Sequence, residues 1–192
     1  LDDSVSRTMI VEGYGGEKNV NPHYKMYYKV SLDKPNRSIL LTPGNGEHAI
    51  DFSPDKKIFI DTYSRMDQAP IFELRNDKGK LITEIARADL SELYKVGWRE
   101  PDVVKFTAAD SITALYGVVY TPFNVEEDKK YPIISNVYPG PQMDLVPQKF
   151  SLDDNYNQSL SQLGFVVVNT AYRGSGPYRG RDFYIFGQQN LR

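Results

Sequence analysis

The segment Tyr131-Pro132-Ile133-Ile134-Ser135-Asn136-Val137-Tyr138-Pro139-Gly140-Pro141 decides how the rest of the chain is read. Its first half is a short apolar run with β-branched residues, the pattern of a buried strand in a mainly parallel sheet. It ends abruptly in Tyr138-Pro139-Gly140-Pro141, a turn cluster that must leave the sheet. A tyrosine at the carboxyl end of such a strand turns its hydroxyl into the region where open α/β sheets place their ligands.

Working outward, the sequence on either side alternates strands with helices. Upstream, Val103 to Ala108 and Ile112 to Tyr120 are joined by Ala109-Asp110-Ser111 and read as a hairpin. Downstream come a loop, a helix near Asp154 to Leu163, and strand Phe165 to Thr170. The helix carries Leu160 and Leu163 on one face and stops at Gly164. Phe165-Val166-Val167-Val168 is a continuous apolar run, expected to be buried on both faces. From Tyr178 onward the chain is expected to open another helix.

Residues 1 to 87 have a different rhythm. Arg7 to Tyr14, Tyr24 to Leu32, Arg37 to Leu41, His48 to Phe52, Lys57 to Tyr63, Pro70 to Arg75 and Lys80 to Ile85 all read as short strands. Between them lie turns such as Ser53-Pro54-Asp55-Lys56 and Asn76-Asp77-Lys78-Gly79. Tyr28-Lys29-Val30 followed by Asp33-Lys34 is echoed by Phe72-Glu73-Leu74 followed by Asp77-Lys78. That repeat, at roughly 44 residues, and its four-strand rhythm fit β-propeller blades. One blade would be whole, from about 47 to 86, and part of another would precede it. An ordinary antiparallel sheet remains the other reading. Between the two halves, Asp89 is expected to cap a short helix with Glu92 as its capping-box partner. Leu90, Leu93 and Tyr94 share a face, Gly97 stops the helix, and Glu100-Pro101 prevents its renewal.

Composition limits the partners. The 192 residues are 40% hydrophobic and 12% aromatic, a globular balance. A net charge of −2 gives no general attraction for nucleic acid or anionic lipid. No apolar run is long enough to span a membrane. No signal peptide is read at Leu1-Asp2-Asp3, and the missing initiator methionine is expected to mean that upstream residues were removed. With zero cysteines there is no disulfide and no thiolate chemistry.

Taken with Asp128-Lys129-Lys130-Tyr131-Pro132, the opening segment resembles the start of the catalytic domain in the prolyl oligopeptidase family of serine peptidases. Within it, the bacterial dipeptidyl peptidase IV branch is the expected match. Tyr14-Gly15-Gly16 and Phe52-Ser53-Pro54-Asp55-Lys56 are similar to the last propeller blades of those enzymes. The resemblance implies an α/β part and an all-β part: the last blades of a β-propeller over 1–87, a connecting helix and linker over 88–102, and the first part of an α/β-hydrolase sheet over 103–192. It implies that Tyr138 donates its hydroxyl to the oxyanion of the tetrahedral intermediate. Family members often have Gly or Ala where Pro139 stands. It also implies peptide substrates, a periplasmic or otherwise extracytoplasmic location, and no cofactor, and it is compatible with a homodimeric parent. Acylaminoacyl and tripeptidyl peptidases of the same family, and a non-catalytic β-rich binding module, are the alternatives.

The triad itself is not in the sequence. No Gly-x-Ser-x-Gly elbow occurs, and Arg173-Gly174-Ser175-Gly176-Pro177 has its glycines at the wrong offsets. His23 and His48 precede the hydrolase-like strands and lack metal-ligand spacing, so blade-edge roles are expected. The chain alone is therefore expected to be inactive. Tyr172-Arg173-Gly174-Ser175-Gly176 resembles an Arg-Gly-Ser-Gly stretch of these peptidases, with Arg173 either fixing the loop or standing solvated. A dinucleotide loop at Gly174-Ser175-Gly176 fails because Gly180 is one position too far and Pro177 intervenes. Arg173, Arg179 and Arg181 with Tyr172, Tyr178 and Tyr184 mimic a nucleic-acid cluster, but the acidic balance favours a plain loop. Sequons Asn36-Arg37-Ser38 and Asn157-Gln158-Ser159 matter only in a glycosylating host.

Overall fold

Side-chain-capped turns cut the first half of the chain into strands. Ser53 Oγ donates to Asp55 Oδ1 at 2.7 Å, Asp55 accepts the Lys57 amide, and Lys56 takes a positive φ of 55°. At the next turn Asn76 Oδ1 accepts the amides of Lys78 and Lys80, both at 3.0 Å. Gly79 has a φ of +78°, and a Cβ there would meet the Leu40 carbonyl oxygen at 2.6 Å, so both conformation and space demand glycine.

The structure is a computed structural model that describes residues 5–34, 36–138, 140 and 142–187. Two units are distinct in it, residues 1–65 with 69–88 and residues 66–68 with 89–192. In the first, β1 (Thr8–Tyr14), β2 (Lys25–Ser31) and β3 (Ser38–Leu40) form an antiparallel sheet in chain order. β4 (Glu47–Phe52), β5 (Ile58–Arg65), β6 (Gln68–Asn76) and β7 (Leu81–Arg87) form a second meander, again in chain order. Neither sheet closes on itself. The molecule is thus mostly β-sheet with few and short helices, as the repeating turn pattern implied.

The core of this unit is partly polar. Tyr24, Met26, Leu41, Phe59 and Ile71 are buried, and so are His48, Asp61, Glu73 and Arg75. His48 Nδ1 lies 2.8 Å from Asp61 Oδ1, and both side chains are fully buried. Arg75 Nε donates to Asp61 Oδ2 at 3.1 Å, while its terminal nitrogens reach the Gly79 carbonyl at 2.8 Å and the Glu73 carboxylate. Tyr63 stacks on His48 with ring centroids 4.9 Å apart. The expectation of blade-edge histidines is corrected here: His23 and His48 are both buried at 1% exposure. For His48, the Asp61 carboxylate offsets the desolvation that would otherwise keep an imidazole at the surface.

The second unit is built on a mixed sheet. β8 (Asp102–Thr107) and β9 (Ala114–Tyr120) form the expected hairpin. Its turn is closed by Asp110 Oδ1, which accepts the amides of Ile112 and Thr113, with Ser111 at a φ of 62°. β10 (Ile133–Asn136) and β11 (Val166–Thr170) pair in parallel, and β11 pairs antiparallel with β9, so the order is β10-β11-β9-β8. Only one of these three pairings is parallel, and β10 is an edge strand. The expectation of a buried strand in a mainly parallel sheet is therefore corrected: Ile133 is 70% exposed. β11 likewise buries one face, Val167 and Asn169, more deeply than the other. Met66, Val118, Tyr120, Val146, Val167 and Ala171 make the core of this unit.

Its helices are short. α1 (Ser91–Lys95) has Leu90 at its N-cap without a side-chain cap; Asp89 instead accepts the Ser91 amide at 2.9 Å, and Glu92 pairs forward with Lys95. The expected capping box does not form. Gly97 does end the helix, at a φ of +87°, with Trp98 N donating to the Leu93 carbonyl. α2 (Asn157–Gln162) follows a 3₁₀ turn (Asp154–Tyr156) and buries Asn157, Gln158 and Ser161. Leu160 packs on the core as expected, but Leu163 is 74% exposed because the helix has already ended. The sequon at Asn157 is closed to modification in this fold: Asn157 is fully buried and accepts from Asn136 Nδ2 at 3.1 Å. α3 (Arg181–Tyr184) opens where another helix was expected.

Candidate active site

Because β10 and β11 run in parallel, the chain leaves the sheet from the same end after both strands. β9 is antiparallel to β11, with Thr170 opposite Gly117, so the β8–β9 turn reaches that end as well. Three loops and α3 therefore converge where an open sheet of this kind places its ligands.

Tyr138 stands two residues beyond β10 and is half-buried. Its carbonyl accepts the Tyr172 hydroxyl at 2.5 Å, and the same hydroxyl lies 3.4 Å from the Gly140 carbonyl. The phenol oxygen of Tyr138 accepts Gln142 Nε2 at 2.8 Å. A Cβ on Gly140 would meet Tyr138 Cε1 at 2.4 Å and the Gln142 amide at 2.7–2.8 Å, so a larger residue there would push both side chains out of their present contact. Pro139 and Pro141 lie outside the described residues. Burial, then the nearby Asp144 and Tyr138, raise the pKa of Tyr172. Its hydroxyl thus keeps its proton and remains a donor to the loop.

The loop after β11 is wound on glycines. Gly174 and Gly176 have φ of +100° and +66°, and a Cβ on Gly176 would meet Asp144 Cβ at 2.8 Å. Ser175 is buried at 2%; its hydroxyl donates to the Tyr172 carbonyl at 2.8 Å and accepts the Tyr172 amide. Neither histidine of the chain lies beyond residue 48, so Ser175 has no imidazole base within its unit. Arg173 pairs with Asp110 Oδ2 at 2.7 Å and stacks on Phe186 at 3.4 Å. Of the two readings of Arg173, loop fixing has the geometry and the solvated arginine does not. Arg179 donates to the Ala114 carbonyl at 2.5 Å and lies 4.3 Å from the Phe183 ring centroid, and burial lowers its pKa.

Asp110 and Gln142 were not singled out from sequence. Asp110 sits 63 residues from Arg173, and only the register of β9 on β11 joins them. Gln142 carries a weak signal, an amide four residues after the tyrosine across a glycine. A cavity of about 550 Å³ in the first unit, lined by Lys29, Ser31, Arg37 and Ile39 among others, contains none of these groups. Among the described residues no group of three or more His, Cys, Asp or Glu side chains could hold a metal ion, and no helix is long and apolar enough to cross a membrane.

No family model matches the chain. It is similar to dipeptidyl peptidase 8 of Homo sapiens, 28% identical over 189 residues, which cover 94% of this chain and 20% of that protein. The mouse (Mus musculus) dipeptidyl peptidase 8 is 27% identical over 164 residues, 81% of this chain and 18% of the relative. A probable dipeptidyl-aminopeptidase B of Trichophyton verrucosum is 39% identical over 70 residues, 36% of this chain and 8% of that protein. The chain thus spans about a fifth of the length of these two dipeptidyl peptidase 8 proteins. These relatives are mammalian and fungal, so the expectation of a bacterial branch draws no support from them.

Proposed function

We propose that this chain is part of a serine exopeptidase similar to dipeptidyl peptidase IV, one that releases short peptides from the amino end of its substrate, often after proline. Residues 1–87 are the end of a β-propeller, 88–102 the connecting helix and linker, and 103–192 the start of an α/β-hydrolase domain. The four-strand meander β4–β7 supports the first assignment. The antiparallel pair β8–β9, followed by strand, helix and parallel strand, is how a hydrolase sheet begins and supports the last. The nucleophile, acid and histidine belong to parts of the protein outside these 192 residues.

The observation that carries the reading is the position of Tyr138. It stands just past the carboxyl end of a strand with a parallel neighbour, fixed through its own carbonyl by Tyr172. In acyl transfer a serine oxygen attacks the scissile carbonyl and forms a tetrahedral alkoxide, which collapses to the acyl-enzyme as the amine leaves. Tyr138 donates its phenolic proton in a hydrogen bond to that alkoxide. The donor is in place before charge develops, so it stabilises the transition state more than the bound substrate.

An Xaa-Pro chromogenic substrate tests this. In the full-length protein, Tyr138→Phe is expected to lower kcat by about 10²–10³ with little change in KM. The 192-residue chain alone is expected to give no turnover. An unchanged kcat in the variant, or turnover by the isolated chain, contradicts the proposal.

A further inference from the structure

We infer that Gln142 is a positioning residue that sets the direction of the Tyr138 hydroxyl proton, an inference that rests on the reading of Tyr138 as oxyanion donor. A phenol has one proton to give and an oxygen that can also accept. Gln142 Nε2 donates to that oxygen at 2.8 Å. Among the described residues the Tyr138 hydroxyl makes no hydrogen bond to a protein acceptor. A hydroxyl that is accepting turns its proton away from the donor, so the amide leaves the O–H pointing outward and free for an alkoxide. Accepting one bond also polarises the O–H and makes it a better donor in the next.

The arrangement is built into the loop. Gly140 lies under both groups: a Cβ at that position would come within 2.4 Å of the Tyr138 ring and 2.7–2.8 Å of the Gln142 amide. Ring and amide therefore close over bare backbone, and the Tyr172 hydroxyl holds the carbonyls at 138 and 140. The chemistry also explains why an amide suits the position and a carboxylate does not. An ionised glutamate only accepts, and it would draw the phenol's O–H into a hydrogen bond with itself, leaving none for the alkoxide.

The test uses the full-length protein and an Xaa-Pro chromogenic substrate, with Gln142→Leu, Gln142→Glu, Tyr138→Phe and the double variant Tyr138→Phe/Gln142→Leu. Gln142→Leu is expected to lower kcat about tenfold, with KM within about twofold of wild type. Gln142→Glu is expected to fall at neutral pH to the rate of Tyr138→Phe, and to recover relative to wild type as the new carboxylate is protonated. On the Tyr138→Phe background, Gln142→Leu is expected to cost nothing further. A slow Tyr138→Phe beside a Gln142→Leu of wild-type rate overturns this inference alone. Equal losses from Gln142→Leu on both backgrounds overturn it too, since a purely structural role acts without the hydroxyl. A wild-type rate in Tyr138→Phe removes the oxyanion reading and this inference with it.

Discussion

Asp110 ties the β8–β9 turn to the loop after β11, and its titration can be followed directly. Its carboxyl is held down to about 2 from an ordinary 3.8, first by the Thr113 hydroxyl, then by the Thr113 and Ile112 amides, and least by Arg173. A depressed carboxyl favours the ordered state when ionised, so the tie is complete above pH 3.8 and is lost as pH falls toward 2. Carboxyl NMR titration should find Thr113→Val raising this pKa more than Arg173→Ala does. The reverse order would mean that the ion pair, not the turn, organises the loop. Arg173 shows how sequence and structure divide the work at this scale. The glycines around it announced a tight loop, whereas its partner could not be read, because only strand register brings Asp110 within reach.

At the scale of elements, the strands of the first unit were legible to within one or two residues, because Ser53-Pro54-Asp55 and Asn76-Asp77-Lys78-Gly79 carry their own turn chemistry. β10 is less buried than its apolar, β-branched sequence implies: its four residues pair with β11 on one side only, and Ile133 stays 70% exposed. The polar contents of the cores were not legible. Asp61 reads as an ordinary polar strand residue until register sets it against His48 and Arg75. Arg75→Met leaves the Asp61 and Glu73 carboxylates buried without their guanidinium, and should destabilise the first unit by about 3–5 kcal/mol. Amide hydrogen exchange in β5 and β6 checks this. A loss below about 1 kcal/mol would show that the network is not what holds these strands.

For the whole molecule, surface left open is as informative as the cores. Every residue of β7 is exposed, with Leu81, Ile82 and Ile85 at 45%, 53% and 52%. An edge strand of that composition is a template for pairing. The isolated chain is therefore expected to associate with rising concentration, and Ile82→Lys with Ile85→Lys should shift it toward monomer in sedimentation velocity. A monomer at all concentrations would favour the alternative of a self-sufficient binding module.

The oxyanion role of Tyr138 is tested most directly by a peptidyl boronic acid, which forms a tetrahedral adduct on a nucleophilic serine, against a product-like peptide that does not. In the full-length protein, Tyr138→Phe should weaken the boronic acid by about 10²–10³ and leave the peptide's Kd unchanged. Equal weakening of both ligands, or of neither, would contradict the assignment.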